Sequence, residues 1–285
     1  MPRRGGLCMW ALRRASRIAA LAVALSGATA ASAAPPERVV SINLCTDQLA
    51  IMLAAPGQLV SVSHIAADPL ASAVAERAHG YRLNHGQAEE VHAMAPDLVL
   101  AGPYTSRYTV NLLRRLGVEV RELPVAERLA DIPETIAQMG EWLGQSAAAD
   151  ELIAEFDSGL GALTVEPGER PRAVLHYANN YTSGVGTLAD EILTVAGFAN
   201  IAAEDGLRGG GTLAMERIVM ARPDLIIAGQ RYPGASRAEA VLDHPAMAAL
   251  RERRAGGVSD ADWVCGTPHV LRALARLVSL HAEVR

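Results

Sequence analysis

The stretch AEEVHAMAPDLVLAG at residues 88–102 decides the fold, because the chain repeats it as MERIVMARPDLIIAG at residues 215–229. In both copies an acidic residue opens a short segment, Pro-Asp follows, and four apolar residues lead to a glycine. Apolar residues three apart predict a short helix, the proline ends it, and the apolar run has the length of a buried strand. The repeated unit is therefore helix, tight turn, strand.

The distance between the two copies predicts the architecture. Strands that alternate with helices form parallel sheets, and here the unit recurs about half a chain later. The sequence thus predicts an α/β protein of two similar lobes with a ligand cleft between them. From about residue 131 to 163 apolar residues recur at helical spacing without a strand, which predicts one long helix or two helices abutting near Gly144.

The first residues have the pattern of a secretory signal peptide. Five arginines and no acid precede an apolar run of roughly a dozen residues, which ends in Ala31-Ser32-Ala33. A membrane anchor would need about 20 apolar residues, and no cysteine follows the run to carry a lipid. We therefore expect cleavage near Ala33 or Ala34 and an exported, soluble mature protein. The predicted divisions are a signal peptide at 1–34, an N-terminal lobe at 35–125, a connector at 126–167 and a C-terminal lobe at 168–285.

The charge balance excludes some partners. Without the five leader arginines the chain has 21 basic and 31 acidic residues, a formal charge of −10. Such a surface argues against nucleic acid and against anionic membranes as partners.

Parallel sheets present ligand-binding loops at the carboxyl ends of their strands. The side chains expected there are Asn43, Cys45, His64, Asn84, His85, Tyr104, Tyr177, Asn180, Tyr181, Trp263 and Cys265. The chain has only two Phe, three Trp and six Tyr, so this is a concentration of aromatic residues. Aromatic walls with amides and imidazoles suit a large, planar, partly polar ligand, although any one of these rings would equally suit packing at a lobe edge.

Catalytic signatures are missing from the sequence. Gly184-Val185-Gly186 and residues 209–211 lack the context of phosphate loops, and a chain without lysine has no Walker A motif. We interpret both as turns. No metal signature and no Gly-x-Ser-x-Gly elbow occurs, so we predict no catalytic residue, no dedicated metal site and no intrinsic cofactor. The spacing of Cys45 and Cys265 does not decide whether they are bonded, free or in contact with ligand.

Glu89 and Glu216 occupy equivalent positions of the repeat. An acid is favoured near a helix N-terminus for electrostatic reasons alone. The symmetric placement, one on each lobe, equally suits docking onto arginines of a two-fold partner.

Together these residues resemble the periplasmic substrate-binding proteins of ABC importers for metal chelates, which include vitamin B12, ferric siderophore and haem binders. The matching features are Arg38-Val39-Val40-Ser41, the repeated Glu and Pro-Asp-Leu, the connector, Thr182-Ser183-Gly184, and Ser259-Asp260 with Trp263. Thr182-Ser183-Gly184 and Trp263 look most like the vitamin B12-binding branch.

The resemblance implies two Rossmann-like lobes, a long rigid interlobe helix, and a cobalt- or iron-containing chelate clamped in the cleft of a periplasmic monomer. It implies Tyr181 and Trp263 as aromatic walls, and Glu89 and Glu216 as contacts to the inner-membrane permease dimer. His64-Ile65 and the two cysteines depart from the family pattern. The choice of ligand among corrinoid, siderophore and haem therefore stays open. His64 or His85 is an expected axial ligand, since neutral imidazole suits cobalt and iron.

Two other classes of function remain alternatives. A periplasmic metal-handling enzyme of chelatase type would use a cleft histidine beside an acid and would not need symmetric surface glutamates. A sensor that delivers its ligand to a membrane receptor would share the docking logic and would differ in having no permease partner.

Overall fold

The computed structural model describes residues 34–163, 165, 168–234 and 236–284, with the backbone alone of 251–256. The predicted signal peptide, apart from Ala34, lies outside the described residues. Among the described helices, none combines the length and the apolar character that crossing a membrane requires.

The N-terminal part of the chain builds a five-stranded sheet. Its strands are β1 (Val39–Ser41), β2 (Leu59–Ser63), β3 (Arg82–Asn84), β4 (Leu98–Ala101) and β5 (Glu119–Glu122). The order is β3-β2-β1-β4-β5, and every pairing is parallel. The intervening helices are α1 (Leu44–Leu53), α2 (Ala75–Ala78), α3 (Ala88–His92) and α4 (Arg107–Arg115).

The connector consists of two helices rather than one. They are α5 (Asp131–Leu143) and α6 (Ser146–Gly161), so the single long interlobe helix is corrected in favour of two helices that meet at Gly144. The reason is local, because Gly144 adopts the left-handed conformation (φ 67°) that ends α5 and that glycine enters without steric cost.

The C-terminal part builds a second parallel sheet. Its strands are β6 (Arg172–His176), β8 (Ala199–Asn200), β10 (Leu225–Ala228) and β11 (Ala255–Gly256), in the order β11-β10-β6-β8. A separate antiparallel pair is formed by β7 (Tyr181–Ser183) and β9 (Gly210–Thr212). The helices are α7 (Leu188–Val195), α8 (Ile201–Glu204), α9 (Met215–Ala221), α10 (Pro245–Arg254), α11 (Asp260–Trp263) and α12 (Val270–Val284). The predicted α/β class with parallel sheets is confirmed, and 35–125 and 168–285 stay our proposed lobe boundaries.

The repeated stretch forms the same unit in both sheets. In the first copy the helix is α3, Ala95 turns the chain with φ 49°, and β4 follows; in the second the helix is α9, Arg222 takes φ 52°, and β10 follows. The left-handed Arg222 is the C-cap of α9, whereas α3 already ends at His92 and the left-handed Ala95 turns the chain three residues later.

An arginine and an aspartate fix this turn in the first lobe. Arg38 donates from Nε to the carbonyl of Ala95 at 3.1 Å and from its guanidinium to the carbonyl of Met94 at 2.7 Å. Asp97 accepts from the backbone N–H of Arg38 at 3.0 Å. Carbonyls at the end of a helix lack partners within it, so the arginine satisfies them.

The second lobe repeats the arrangement. Arg172 donates to the carbonyl of Ala221, the position equivalent to Met94, and Asp224 accepts from the backbone N–H of Arg172 at 2.9 Å. The Pro-Asp signature of the sequence is therefore a device that ties each repeat helix to the first strand of its own sheet.

The core follows the two-residue period of the strands. In β1, Val39 packs into the large central cluster while its neighbour Val40 packs on the opposite face of the sheet. In β6, Leu175 and Val174 divide in the same way. The central cluster also includes residues of α1, α5, α6, α7 and α12, so one apolar interior joins the two sheets and the connector.

Candidate functional site

Two histidines lie side by side at the ends of neighbouring strands. His64 follows β2 and His85 follows β3, and their rings stack with centroids 4.8 Å apart and planes 25° apart. Both side chains are exposed. Tyr104, in the loop after β4, is also exposed, with 88% of its surface accessible. The N-terminal lobe therefore presents two imidazoles and a phenol at the predicted edge.

His85 also has an acidic neighbour. Its Nδ1 lies 3.8 Å from a carboxylate oxygen of Glu90, whose other oxygen accepts from the backbone N–H of His85 at 2.8 Å. The Glu90 carboxylate thus holds the loop after β3 and stands close enough to influence the imidazole.

Asn84 does not belong to the exposed surface, which corrects its assignment as a ligand-facing residue. Its side chain is fully buried and donates to the Ser41 carbonyl and to Ser61 Oγ, both at 2.9 Å, while its oxygen accepts from Gly86. A buried amide must find partners, and Asn84 finds them inside the lobe. Its role is to fix the ends of β1, β2 and β3.

Asn43 starts α1 and lies partly buried beside Gly102. Its Oδ1 accepts from the backbone N–H of Cys45 at 3.0 Å, the interaction of a helix N-cap. A Cβ on Gly102 would approach the Asn43 amide to 3.0 Å. The repeated glycine therefore leaves space for a side chain at the predicted edge.

Asp47, in the first turns of α1, is completely buried. Desolvation raises the pKa of its carboxyl from 3.8 to about 6, although hydrogen bonds from Ser41 and Ser63 act in the opposite direction. Sequence reasoning treated Asp47 only as a possible helix cap, because burial of a carboxyl is not visible in a sequence.

The C-terminal lobe places Tyr181 through a tight turn. Asn179 and Asn180 both adopt φ 56°, which asparagine tolerates better than most residues, and the Tyr177 N–H donates to the Tyr181 carbonyl at 2.9 Å. Asn180 is partly buried and its Oδ1 pairs with His176 Nε2 at 3.0 Å. Tyr181 remains 46% exposed. A Cβ at Gly210 would collide with the Tyr181 hydroxyl, so this glycine makes room for the ring.

Tyr177 and Trp263 lie below that surface. Trp263 is buried and Tyr177 largely so, and both lie close to the carboxyl of Asp260, whose Oδ2 accepts from the backbone N–H of Gln230 at 2.8 Å. Desolvation, first, and then the charge of Asp260 raise the pKa of the Tyr177 hydroxyl above its ordinary range, while burial raises the pKa of Asp260. Trp263 therefore supports the edge from within rather than forming an exposed wall.

Cys45 and Cys265 are bonded to each other, with Cα atoms 5.2 Å apart. This decides the alternative that the spacing left open. Neither sulfur is therefore a free thiol, and the placement of the two cysteines among the ligand-facing residues stays a prediction.

Sequence reasoning missed Tyr232. This half-exposed residue of the C-terminal lobe lies close to Asp68 of the N-terminal lobe, and burial, first, and then the charge of Asp68 raise the pKa of its hydroxyl. The repeat gave only a loose signal, because Tyr232 lies three residues after the second repeated glycine whereas Tyr104 lies two residues after the first. The proximity of Tyr232 to Asp68 brings the loop after β10 near the loop after β2.

The remaining candidate features are structural in the described part of the chain. Gly186 and Gly209 take the positive φ of turns (85° and 68°), as interpreted from the sequence, whereas Gly210 and Gly211 belong to β9, which corrects that part of the interpretation. Among the described residues, no group of three or more His, Cys, Asp or Glu is arranged to hold a metal ion.

Two surface depressions lie away from the strand ends. One of about 520 Å³ is lined by Arg77 and Tyr81, and one of about 300 Å³ by Arg172 and Met220. Glu89 and Glu216 stand exposed in the first turns of α3 and α9.

Two parallel sheets, a helical connector, and exposed imidazole and phenol side chains in the loops that follow the strands define a two-lobed α/β protein. A family model described as periplasmic binding protein matches residues 39–258. The chain belongs to the periplasmic binding protein family, as its motifs indicated, and this membership implies an extracytoplasmic location.

Individual relatives agree with this assignment. The chain is 28% identical over 199 residues to a cobalamin-binding protein of Halobacterium salinarum, covering 68% of this chain and 54% of that protein. It is 25% identical over 203 residues to an uncharacterized ABC transporter substrate-binding lipoprotein of Bacillus subtilis, covering 67% and 63%. The chain thus spans little more than half the length of these relatives.

A solved structure supports the fold. The periplasmic haem-binding protein RhuT from Roseiflexus sp. RS-1, in apo form, superposes with a TM-score of 0.73 at 21% identity, covering 87% of this chain and 98% of that one. At this level of identity the likeness concerns the fold alone.

Proposed function

We propose that this protein is the substrate-binding component of an ABC importer, which captures a metal chelate between its lobes and delivers it to a permease dimer. The observation that carries the proposal is the stack of His64 and His85 at the carboxyl ends of β2 and β3, on a lobe whose Asp68 lies near Tyr232 of the other lobe. Exposed rings with few polar groups suit a large planar ligand.

The ligand we favour is a corrinoid. The motifs Thr182-Ser183-Gly184 and Trp263 match the vitamin B12-binding branch, and the Halobacterium relative is a cobalamin-binding protein. His64 and His85 are exposed imidazoles, and one of them is proposed to ligate the cobalt axially when the chelate is bound. Haem iron also accepts an axial imidazole, and the first experiment includes both haem and a ferric siderophore.

The docking surface is proposed to include Glu89 and Glu216. Both are exposed and equivalent within the repeat. Carboxylates pair strongly with arginine forks, so one glutamate on each lobe suits a partner with two-fold symmetry.

Visible absorption titration of the secreted protein tests the proposal. Cyanocobalamin, haem and a ferric siderophore are added separately, and calorimetry gives the affinity. We expect saturable binding of cyanocobalamin at about micromolar concentration or tighter. If only haem or only the siderophore saturates the protein, that compound replaces the corrinoid as the proposed ligand. If none of the three binds, the metal-chelate proposal is overturned.

One observation favours the alternative, a metal-handling enzyme of chelatase type. The 3.8 Å approach of His85 to Glu90 is the histidine and acid pair that this chemistry would use. Incubation with a metal-free porphyrin and ferrous ion discriminates the two functions. We expect no metal insertion above the rate without protein, and insertion that is lost in Glu90→Gln would support the enzyme instead.

A further inference from the structure

The disulfide between Cys45 and Cys265 joins the two lobes. Cys45 lies in the first turn of α1 beside the first sheet, and Cys265 follows α11 beside the second sheet, 220 residues later. Between the described strands of the first sheet and those of the second, the polypeptide itself passes through the connector α5–α6. The disulfide is therefore a second covalent link between the lobes.

A buried polar contact accompanies the disulfide. Thr267 donates from its hydroxyl to the side-chain oxygen of Gln48 at 3.0 Å, and both residues are completely buried. Gln48 lies one helical turn after Cys45, and Thr267 lies two residues after Cys265. The lobes are thus held together by adjacent covalent and hydrogen-bonded contacts.

The disulfide also lies next to the other covalent link. A Cβ on Gly266 would come within 2.4 Å of the Ala126 Cβ. Residue 266 is the neighbour of Cys265, and Ala126 opens the segment that leads into the connector. The chain crossing and the disulfide therefore stand side by side.

This arrangement restricts the movement of the lobes. The two lobes are attached at two nearby points, the disulfide and the chain crossing. They can rotate about the line that joins these points, but they cannot move far apart at that edge. The other contacts between the lobes are noncovalent, and they include the shared apolar cluster and the hydrogen bond from Arg272 to the Ala73 carbonyl at 3.3 Å. These contacts break and form again without covalent chemistry.

The disulfide also stands close to candidate ligand-binding residues on each lobe. Asn43 caps the helix that carries Cys45 and accepts from the Cys45 N–H. Trp263 precedes Cys265 by two residues and supports the surface around Tyr177 and Asp260. A bond between the two cysteines therefore sets the distance between these walls.

We propose that the Cys45–Cys265 disulfide positions the two walls of the ligand site, by pinning the lobes at a hinge and limiting how far the cleft opens. That the cleft holds a ligand rests on the proposed function. The limit on opening rests on the contacts of the disulfide alone.

The first experiment measures the disulfide and the separation of the lobes without ligand. Thiol titration of the denatured, unreduced secreted protein should find no free thiol. A phosphine reductant then gives two electrons to the S–S bond, water supplies the two protons of the thiols, and the phosphine leaves as its oxide. Small-angle X-ray scattering should report a larger radius of gyration for the reduced protein and for Cys45→Ser/Cys265→Ser than for the oxidised protein.

Hydrogen exchange and ligand release give independent readouts. Amides of residues 43–48 and 260–267 should exchange about tenfold faster in the reduced protein, because this edge then opens locally. If a chelate binds, its release should accelerate by about tenfold as well, since preorganised walls lower the cost of holding it.

Two variants serve as controls. Thr267→Val removes the hydrogen bond to Gln48 and keeps the disulfide, so its radius of gyration should stay that of the oxidised protein. Thr187→Ala removes the N-cap of α7, which destabilises a distant helix without altering the hinge. If the amides of residues 43–48 exchange as fast in Thr187→Ala as in the reduced protein, the result counts against the proposal.

Two outcomes overturn the proposal. One is two free thiols in the unreduced protein. The other is an unchanged radius of gyration together with unchanged exchange after reduction. If the double variant fails to fold, the reduced native protein decides the matter. If no chelate binds, the importer proposal is overturned. The hinge proposal is then tested by the scattering measurement, which needs no ligand.

Discussion

Asp47 accepts hydrogen bonds from the backbone N–H of Ser63 at 3.1 Å and from the Ser63 hydroxyl. The contact ties the first turns of α1 to the end of β2, directly before His64. A completely buried carboxyl therefore supports the N-terminal wall of the candidate site, and its protonation affects folding.

The pH dependence of stability should reveal Asp47. Its pKa is raised from 3.8 to about 6 in the folded protein, so the folded state binds the proton more tightly than the unfolded state. The resulting stability is fully present below about pH 4 and is lost as the pH rises through about 6. Urea unfolding should show Asp47→Asn losing this dependence, which amounts to about 2 to 3 kcal/mol in the native protein.

The control is Asp150→Asn on the exposed side of α6, which should leave the profile of the native protein unchanged. An Asp47→Asn profile parallel to that of the native protein between pH 4 and 7 would contradict the assignment.

The repeat arginine should contribute to stability. Arg38→Met removes the donors to the carbonyls of Met94 and Ala95, and because water can reach this exposed turn, the loss should cost about 0.5 to 1.5 kcal/mol. Chemical denaturation measures the loss. Arg115→Met, at an exposed position of α4, is the matched control and should cost much less. Equal stabilities of the two variants would show that the turn needs no arginine.

Loss of the disulfide should destabilise the folded state. A bond that closes a loop of 220 residues lowers the entropy of the unfolded chain, which corresponds to at most about 5 kcal/mol in the loop-closure estimate. Guanidinium unfolding of Cys45→Ser/Cys265→Ser should show a large part of this loss. The reduced native protein should unfold at the same midpoint as the variant, and a midpoint equal to that of the oxidised protein would contradict the prediction.

Axial ligation should be visible in the spectrum of a bound chelate. Substituting the ligating histidine, His64→Ala or His85→Ala, should shift the absorption bands and weaken binding about tenfold or more. His92→Ala is the control, because His92 is exposed at the end of α3 rather than at a strand end. Bands that stay unchanged in both variants would leave the imidazoles without a role at the metal.

Docking is tested by separating transport from binding. Glu89→Ala and Glu216→Ala should abolish uptake of the chelate while calorimetry finds its affinity unchanged. Glu134→Ala is the matched control, since Glu134 is also an exposed acid in the first turn of a helix. Uptake at the native rate in the double variant would remove these glutamates from the docking surface.

Part of the site was visible in the sequence because it depends on local order. Residues that follow a strand within a few positions reach the carboxyl edge whatever the rest of the fold does, and His64, His85 and Tyr104 are exposed there, whereas Tyr181 is exposed at the start of the short strand β7. Tyr232 was missed because the gapless repeat pairs Tyr104 with Arg231 rather than with Tyr232. Asn84 was misjudged because a position beside a strand end does not reveal whether the side chain points inward.

The sequence by itself determined the class of fold, the duplicated unit and the family. These follow from periodicity and from short-range constraints, such as a proline that stops a helix and a glycine that turns it. Tertiary structure alone decided that Cys45 meets Cys265, that Asp47 and Trp263 are buried, and that Tyr232 reaches Asp68. The physical reason is distance along the chain, because burial and long-range pairing result from packing the two sheets against shared helices and no local pattern encodes them.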